Sequence, residues 1–350
     1  MNLILNNKYE HIFLEVKMLK KLTYIKNGFL IFVVFISILF LGCSSYFTKN
    51  PSQTDSLKIV SWNLQTFFDS VTEGTEYSEF RDSKSSWTEE KYQDRLKYLC
   101  DFIENQNADI YAFTELENLN ILQDIANNLK TKSILGSDYK YACFGKNPGG
   151  VFGCGIISKY PLKDLKLHNL DFSTTETQPE LRPIVEVTAS TGTNKEFTLF
   201  VCHWKSKSGG AAESEIWRDF QEKLLEALVK KAKNKQIVAC GDFNRDLQEF
   251  SLLDEEKSVE LKSFYQDSTE STKMQNPWIV SQEKGSYNFN GEWNKIDHFF
   301  ISNNIRILNF GTIQEFTNDS GFPIKYSVRT GNGYSDHLPI FCTLDFLQDN

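Results

Sequence analysis

Ile237-Val238-Ala239-Cys240-Gly241-Asp242-Phe243-Asn244 is the stretch on which the reading of this chain turns. Its four apolar residues read as a short buried strand, and the glycine that ends it launches a carboxylate and a carboxamide two residues apart. On extended backbone Asp242 and Asn244 point to the same side, so both can face one ligand atom. A carboxylate takes a proton or faces a metal, while an amide donates to a phosphoryl oxygen. Alone, the motif reads better as a plain turn, since Gly, Asp and Asn are the usual turn residues. The rest of the chain reverses that.

The same layout recurs on both sides of it. Leu57 to Leu64 alternates as a strand carrying Asn63, Asp109 to Leu116 delivers Glu115, and Phe197 to His203 ends in a histidine. Lys295 to Ile301 holds Asp297, and Ser335-Asp336-His337 precede a last strand, Leu338 to Phe346. Each polar residue has a dull explanation: a cap, a surface acid, a satisfied core histidine, a turn before Pro339. Their recurrence at strand ends is what carries information, because α/β folds gather their sites there.

Helices separate the strands. Thr88-Glu89-Glu90-Lys91 opens one from Trp87 to Gln106, a second lies near Leu119 to Leu129, and a third runs from Glu213 to Ala232. In the third, Ile216, Phe220, Leu224, Leu225 and Leu228 fall at helical spacing and predict the buried face. Tyr139 to Ile157 reads as a hairpin with its tip at Gly145 to Gly150, and Ile184 to Thr188 as a strand after Arg182-Pro183. No repeat or linker interrupts the order, which predicts one α/β domain over residues 57–347.

The amino terminus differs in kind. Lys17, Lys20, Lys21 and Lys26 precede an apolar run from Phe29 to Leu41, followed by Gly42-Cys43. As helix that run covers about 20 Å, short of the about 30 Å of a hydrocarbon core, so it predicts a signal peptide over 1–43. A cysteine directly after the apolar run predicts a bacterial lipoprotein, with Cys43 acylated and residues 44–56 as the tether. The expected location is exported and lipid-anchored to a bacterial membrane, at the periplasmic face or the cell surface.

With 40% hydrophobic and 24% charged residues, the 350-residue chain has the composition of a globular protein. Its net charge of -8 argues against holding polyanions by bulk charge, so a phosphate-bearing substrate needs metal ions and a local basic patch. Lys205 and Lys207, with Gly209 and Gly210, supply such a loop just after His203. Of the cysteines, Cys143 and Cys154 flank a glycine-rich turn and could pair across it, while Cys202, Cys240 and Cys342 read as small core residues.

Trp62-Asn63, Thr114-Glu115, His203, Gly241-Asp242-Phe243-Asn244, Lys295-Ile296-Asp297 and Ser335-Asp336-His337-Leu338-Pro339 stand in the order found in the endonuclease/exonuclease/phosphatase superfamily. The resemblance covers residues 57 to 346, and its most specific parts are the two stretches Gly241 to Asn244 and Ser335 to Pro339. Trp87-Thr88 and Tyr287 to Trp293 are similar to the branch of secreted bacterial nucleases, as is the pancreatic-deoxyribonuclease-like histidine at position 203. Gln65 stands where apurinic endonucleases carry an acid, which points away from that subgroup.

The family implies a four-layer αββα sandwich of two packed mixed sheets with outer helices, and a metal-dependent phosphodiesterase or endonuclease acting on DNA or RNA. A sphingomyelinase-like or phosphatase activity on the same scaffold is the alternative. The resemblance assigns Glu115, Asp336 and Asn63 to Mg²⁺ or Mn²⁺, with Ca²⁺ as a further ion, and Asn63, Arg182 and Lys205 to the substrate. It makes His337, oriented by Asp297, the general base, a role that Asp242 can share, and His203 and Asn244 donors to the phosphoryl oxygens. The implied partners are a nucleic acid and the membrane, and the chain is expected to be a monomer.

Overall fold

A computed structural model of the chain describes residues 14–15 and 56–346, apart from 82–83, 133–137, 172–177 and 265–271. Of the expected signal peptide only Leu14–Glu15 is described, as a two-residue strand paired with Ala142 and Tyr141; the lipid site at Cys43 and the tether up to residue 55 lie outside the described residues.

Two mixed sheets face each other. The first contains β1 (Ser56–Phe67), β2 (Ile110–Leu116), β3 (Tyr141–Gly145) and β4 (Gly153–Ser158). The second contains β5 (Leu162–His168), β6 (Ile184–Ser190), β7 (Glu196–His203), β8 (Ile237–Asp242), β9 (Ser251–Leu253), β10 (Ser258–Leu261) and β11 (Thr272–Gln275). A small hairpin, β12 (Tyr287–Phe289) and β13 (Glu292–Asn294), precedes β14 (Asp297–Ile301) of the second sheet. The chain then returns to the first sheet with β15 (Ile305–Thr312) and β16 (Ile340–Phe346). The orders are β3-β4-β2-β1-β16-β15, with the two-residue strand Leu14–Glu15 on the outer edge of β3, and β9-β10-β11-β14-β8-β7-β6-β5. Each sheet has a parallel pair near its middle, β1 beside β2 and β7 beside β8.

Burial on both faces explains why these strands read as unbroken apolar runs. Ile59, Ile110, Leu199, Val201, Val238 and Cys240 point between the sheets, while their neighbours Val60, Tyr111, Phe200, Cys202 and Ala239 point outward under helices. The helices are α1 (Ser78–Arg81), α2 (Glu89–Gln106) and α3 (Leu119–Lys132) on the first sheet's side and α4 (Ala211–Lys231) on the second's. Thr88 caps α2 as its sequence predicts, accepting from Lys91 N–H. Truncating one of the inter-sheet residues, Val238→Ala for instance, is expected to cost about 1–3 kcal/mol.

Two expectations are corrected. The buried face of α4 is Ser214, Trp217, Arg218, Gln221, Glu222, Leu225, Glu226 and Val229, and Ile216 is exposed. Charge pairing overrode the apolar stripe: Arg245, just beyond β8, bonds Glu222, Asp219 and Glu215 of the helix, which makes the full burial of Glu222 tolerable. Cys143 and Cys154 do not pair. Both are free and buried, and the β3–β4 register sets Cys143 opposite Ile156 and Cys154 opposite Gly145.

Candidate active site

β1 does not stop at Asn63; it turns there. Gln65 and Thr66 take left-handed backbone angles (φ 49° and 51°), which non-glycine residues adopt only at a cost of about 1 kcal/mol or more each. The buried Arg95 guanidinium of α2 holds this turn by donating to the carbonyls of Leu64, Gln65 and Thr66. The turn aims two amides: Gln65 N–H donates to Asn63 Oδ1 at 2.9 Å, and Thr66 N–H to Glu115 Oε2 at 2.6 Å. Gln65 itself is stitched by its amide to both backbone groups of Tyr326, at 3.1 and 2.9 Å.

Asn63 then bridges the sheets. Its Nδ2 donates to Glu115 Oε1 at 3.1 Å within the first sheet and to Asp242 Oδ2 at 2.9 Å across to the second. Gly241 allows β8 to come this close to β7, since a Cβ there would lie 2.0 Å from Cys202 O. Register places Asp242 between His203 on β7 and Asp297 on β14. Asn244 N–H closes the other side by donating to Asp242 Oδ1 at 2.8 Å.

His337 enters from the loop before β16. Ser335 Oγ accepts from His337 N–H at 3.0 Å and donates to Asn63 O at 2.6 Å, and Trp62 Nε1 donates to His337 O at 2.9 Å. The ring's Nδ1 lies 2.8 Å from Asp297 Oδ2, an oxygen that also accepts from Ser286 Oγ at 2.6 Å. This assigns the proton to Nδ1 and turns Nε2 toward Asp242 Oδ2 and Asp336 Oδ1, 4.0 Å from each.

Burial and charge then set proton affinities. Burial opposes a charge on His337, but Asp297, by charge and hydrogen bond, and then Asp242 and Asp336 outweigh it and push the ring up to about 10. Burial raises Asp242; His337 opposes that rise and Asp297 adds to it. His203 goes the other way: burial first, then Arg182 and His337, hold it well below an ordinary histidine, so it is a neutral donor. Its Nε2 lies 3.7 Å from Glu115 Oε1 and 3.8 Å from Asp242 Oδ2, and its buried Nδ1 has no partner.

Two carboxylate groupings fit a divalent cation differently. Asp242, Asp297 and His337 bring ligand atoms within 4.8 Å of one another, but all three are buried and the Asp297 oxygen facing His337 is already bonded twice. Glu115 and Asp336 keep 19% and 26% of their side chains exposed on the cleft floor. A hard ion that retains several waters suits the second pair, and Asp336, Asp242 and Glu115 are the charges that, after burial, raise the Tyr287 hydroxyl among them.

The cleft above holds about 1700 Å³ and is lined by Glu115, Arg182, His203, Lys205, Asp242, Asn244, Asp336 and His337. Arg182 Nη1 and Asn244 Nδ2 both donate to Trp204 O, at 3.3 and 3.2 Å, which leaves each with further N–H groups toward the cleft. Burial and the guanidinium groups of Arg182 and Arg218 lower Lys205. Of the residues expected from the sequence, Glu115, Arg182, His203, Lys205, Asp242, Asn244, Asp336 and His337 line this cleft, while Asn63 and Asp297 are buried behind it, bonded to Glu115, Asp242 and His337. Ser286, Tyr287, Arg95 and the structural use of Gln65 were not foreseen; only Tyr287 carried a signal, as part of Tyr287 to Trp293.

The family model described as Endonuclease/Exonuclease/phosphatase family matches residues 58–345. Among solved structures, an endonuclease/exonuclease/phosphatase family protein from Bacteroides thetaiotaomicron is similar at a TM-score of 0.53 and 15% identity, covering 85% of this chain and 100% of that one. D. rerio TDP2 complexed with single strand DNA product gives 0.51 and 16%, over 83% and 99% of the two chains. The human Nocturnin catalytic domain with bound sulfate gives 0.51 and 16%, over 83% and 94%. No curated protein sequence matches significantly. At these identities the structural likeness establishes the fold, the two-sheet sandwich expected above.

Proposed function

Because the chain belongs to the endonuclease/exonuclease/phosphatase family, we propose that it is a metal-dependent phosphodiesterase, a nuclease cutting DNA or RNA, exported and tethered by a lipid on Cys43. One observation carries the chemistry: His337 is fixed by Asp297 at 2.8 Å with its second nitrogen turned into the cleft that Asp242, Glu115 and Asp336 line. That a structure of the same fold holds a single-strand DNA product supports the nucleic-acid reading. The anchor and the location rest on the sequence of residues 29–43.

Glu115 and Asp336, with Asn63 steadying Glu115, would hold Mg²⁺ or Mn²⁺. A bound ion would supply positive charge that polarises the phosphate and opposes the protonation of His337 favoured by Asp297, Asp242 and Asp336. Neutral His337 takes a proton at Nε2 from the attacking water, and Asp297 stabilises the imidazolium that results. Asp242, lifted by burial, is close enough to share that proton. His203 Nε2–H and the remaining amide N–H of Asn244 donate to the phosphoryl oxygens as charge builds on them. Water oxygen joins phosphorus, the ester P–O bond breaks, and the leaving oxygen collects a proton from the site. Arg182 and Lys205 hold the neighbouring phosphates.

The test is a panel of supercoiled plasmid, single-stranded RNA, sphingomyelin vesicles and a phosphomonoester, each with the purified chain in Mg²⁺ or EDTA. Cleavage of plasmid or RNA that stops in EDTA is expected. Hydrolysis of sphingomyelin or the monoester alone would overturn the nuclease reading, and cleavage indifferent to EDTA the metal one.

A further inference from the structure

β12 and β13 form a two-stranded ribbon that joins neither large sheet. Such a ribbon is marginal by itself, so its rigidity must come from its turn and its base. The turn residues Asn290 and Gly291 have φ 52° and 88°, the left-handed pair that a tight hairpin turn demands. At the base, Tyr287 bridges to His337, Leu338 N–H donates to Ser286 O at 2.7 Å, and Lys295 N–H donates to Asp246 Oδ2 at 2.8 Å. One face seats Trp293 against Phe322, centroids 5.8 Å apart. The other face carries Tyr287 and Phe289, two residues apart and both lining the cleft.

Those two rings continue outward from the catalytic imidazole. Tyr287 lies 4.7 Å from His337, and Phe289 stacks on Tyr287 at 6.4 Å with 11° between the planes. Phe289 is 59% exposed, an ordered aromatic ring held at the cleft rim with its area unspent on any core. We propose that Phe289 is a stacking platform for a nucleobase flanking the cleaved phosphate, and that the substrate is therefore an unpaired strand. This rests on the phosphodiesterase reading above and narrows it.

Ring geometry and charge favour a base over the other candidates. A near-parallel ladder offers a flat π face, which any base can cover, whereas a choline headgroup needs several rings converging on one cation. Bases inside a duplex are already stacked and have no free face to offer. Glu292, paired opposite Phe289 and lining the same wall, repels phosphate from this rim. The strand's backbone is left to Arg182 and Lys205, cationic residues that line the cleft.

The experiment uses the full chain, with a single-stranded oligonucleotide, the same strand with abasic sites flanking the cleaved position, and the strand in a duplex. Phe289→Ala is expected to raise KM on the base-bearing strand about tenfold relative to the abasic one, the loss of one base–aromatic stack. Phe289→Trp should restore it, Phe289→Leu should not, and the tryptophan's emission should be quenched by the strand in EDTA. An unchanged KM ratio in Phe289→Ala, equal loss on the duplex, or a loss confined to sphingomyelin vesicles would each overturn the platform. Absence of metal-dependent cleavage of any of the three strands by the unaltered chain would instead refute the phosphodiesterase reading.

Discussion

Asp242 and Glu117 are both buried carboxylates beside the end of a central strand, and only Asp242 faces a histidine and the cleft. Asp242 closes β8 with the Asn63 amide on one oxygen, Asn244 N–H on the other, and His337 facing it at 4.0 Å. Glu117 follows β2, accepts from Asp69 N–H at 2.8 Å, and otherwise has Asp69, Glu76 and Glu73 as its charged neighbours. Burial lifts both. Asp242 rises to about 7 against the pull of His337, and Glu117, with no cation beside it among the described residues, climbs to about 8 and keeps its proton at neutral pH. Its second oxygen has no donor, and the proton kept there favours the neighbouring Glu76 carboxylate, which, against burial, its backbone donors and then Glu117 hold below its ordinary value. Burial alone therefore does not make a carboxylate chemical; a basic partner and an opening to the cleft do.

The contrast can be broken by mutation. His337→Ala or Asp242→Asn is expected to cut metal-dependent cleavage of nucleic acid by about 10²–10⁴-fold with an unchanged far-ultraviolet spectrum, while Glu117→Gln stays within about twofold. Comparable losses in all three would erase the distinction. Asp297→Asn should cost less, about 10–10³-fold, because it removes orientation and charge without removing the base. It should also bring the His337 pKa down from about 10, read by NMR titration without metal, since the carboxylate that does most to hold the ring protonated is gone.

Stability sharpens the same comparison. Glu117's folded pKa is raised from 4.5 to about 8, so the protonated carboxyl favours the folded state fully below about 4.5, and that contribution is lost as pH climbs through about 8. Glutamine has no proton to lose. Glu117→Gln should therefore match the unaltered chain near pH 4 and exceed it by up to a few kcal/mol near pH 9, measured by denaturant unfolding. A gap that shrinks with pH would contradict the assignment. The smallest effect is expected from Ser286→Ala, which frees one of the two bonds to Asp297 Oδ2 and should slow cleavage no more than about tenfold.

Much of this was legible in the residues, for a reason that α4 makes plain by failing. β8 could be read from Ile237 to Cys240 because a strand buried on both faces must be apolar throughout, and the polar residues after it stand out. In α4 the apolar spacing of Ile216 misled, because partners remote in sequence, Arg245 and Lys262, made burial of Glu222 tolerable. Gln65 looked like a missing metal acid and is instead a stitch to Tyr326, a partner that sequence distance conceals. The hairpin from Tyr287 to Asn294 carried a family signature without a place, and only its docking on His337 gives it one.

By itself the sequence determined the strands and their polar ends, since hydrophobic periodicity and residue chemistry are local properties; the resemblance to a family is what joined Gly241 to Asn244 with Ser335 to Pro339. What the tertiary structure decided is which of the many carboxylates share a cleft, which keep a proton, and where an aromatic ring is left facing solvent. Those depend on distance and dielectric, and both are set only when strands from two sheets close around Asn63.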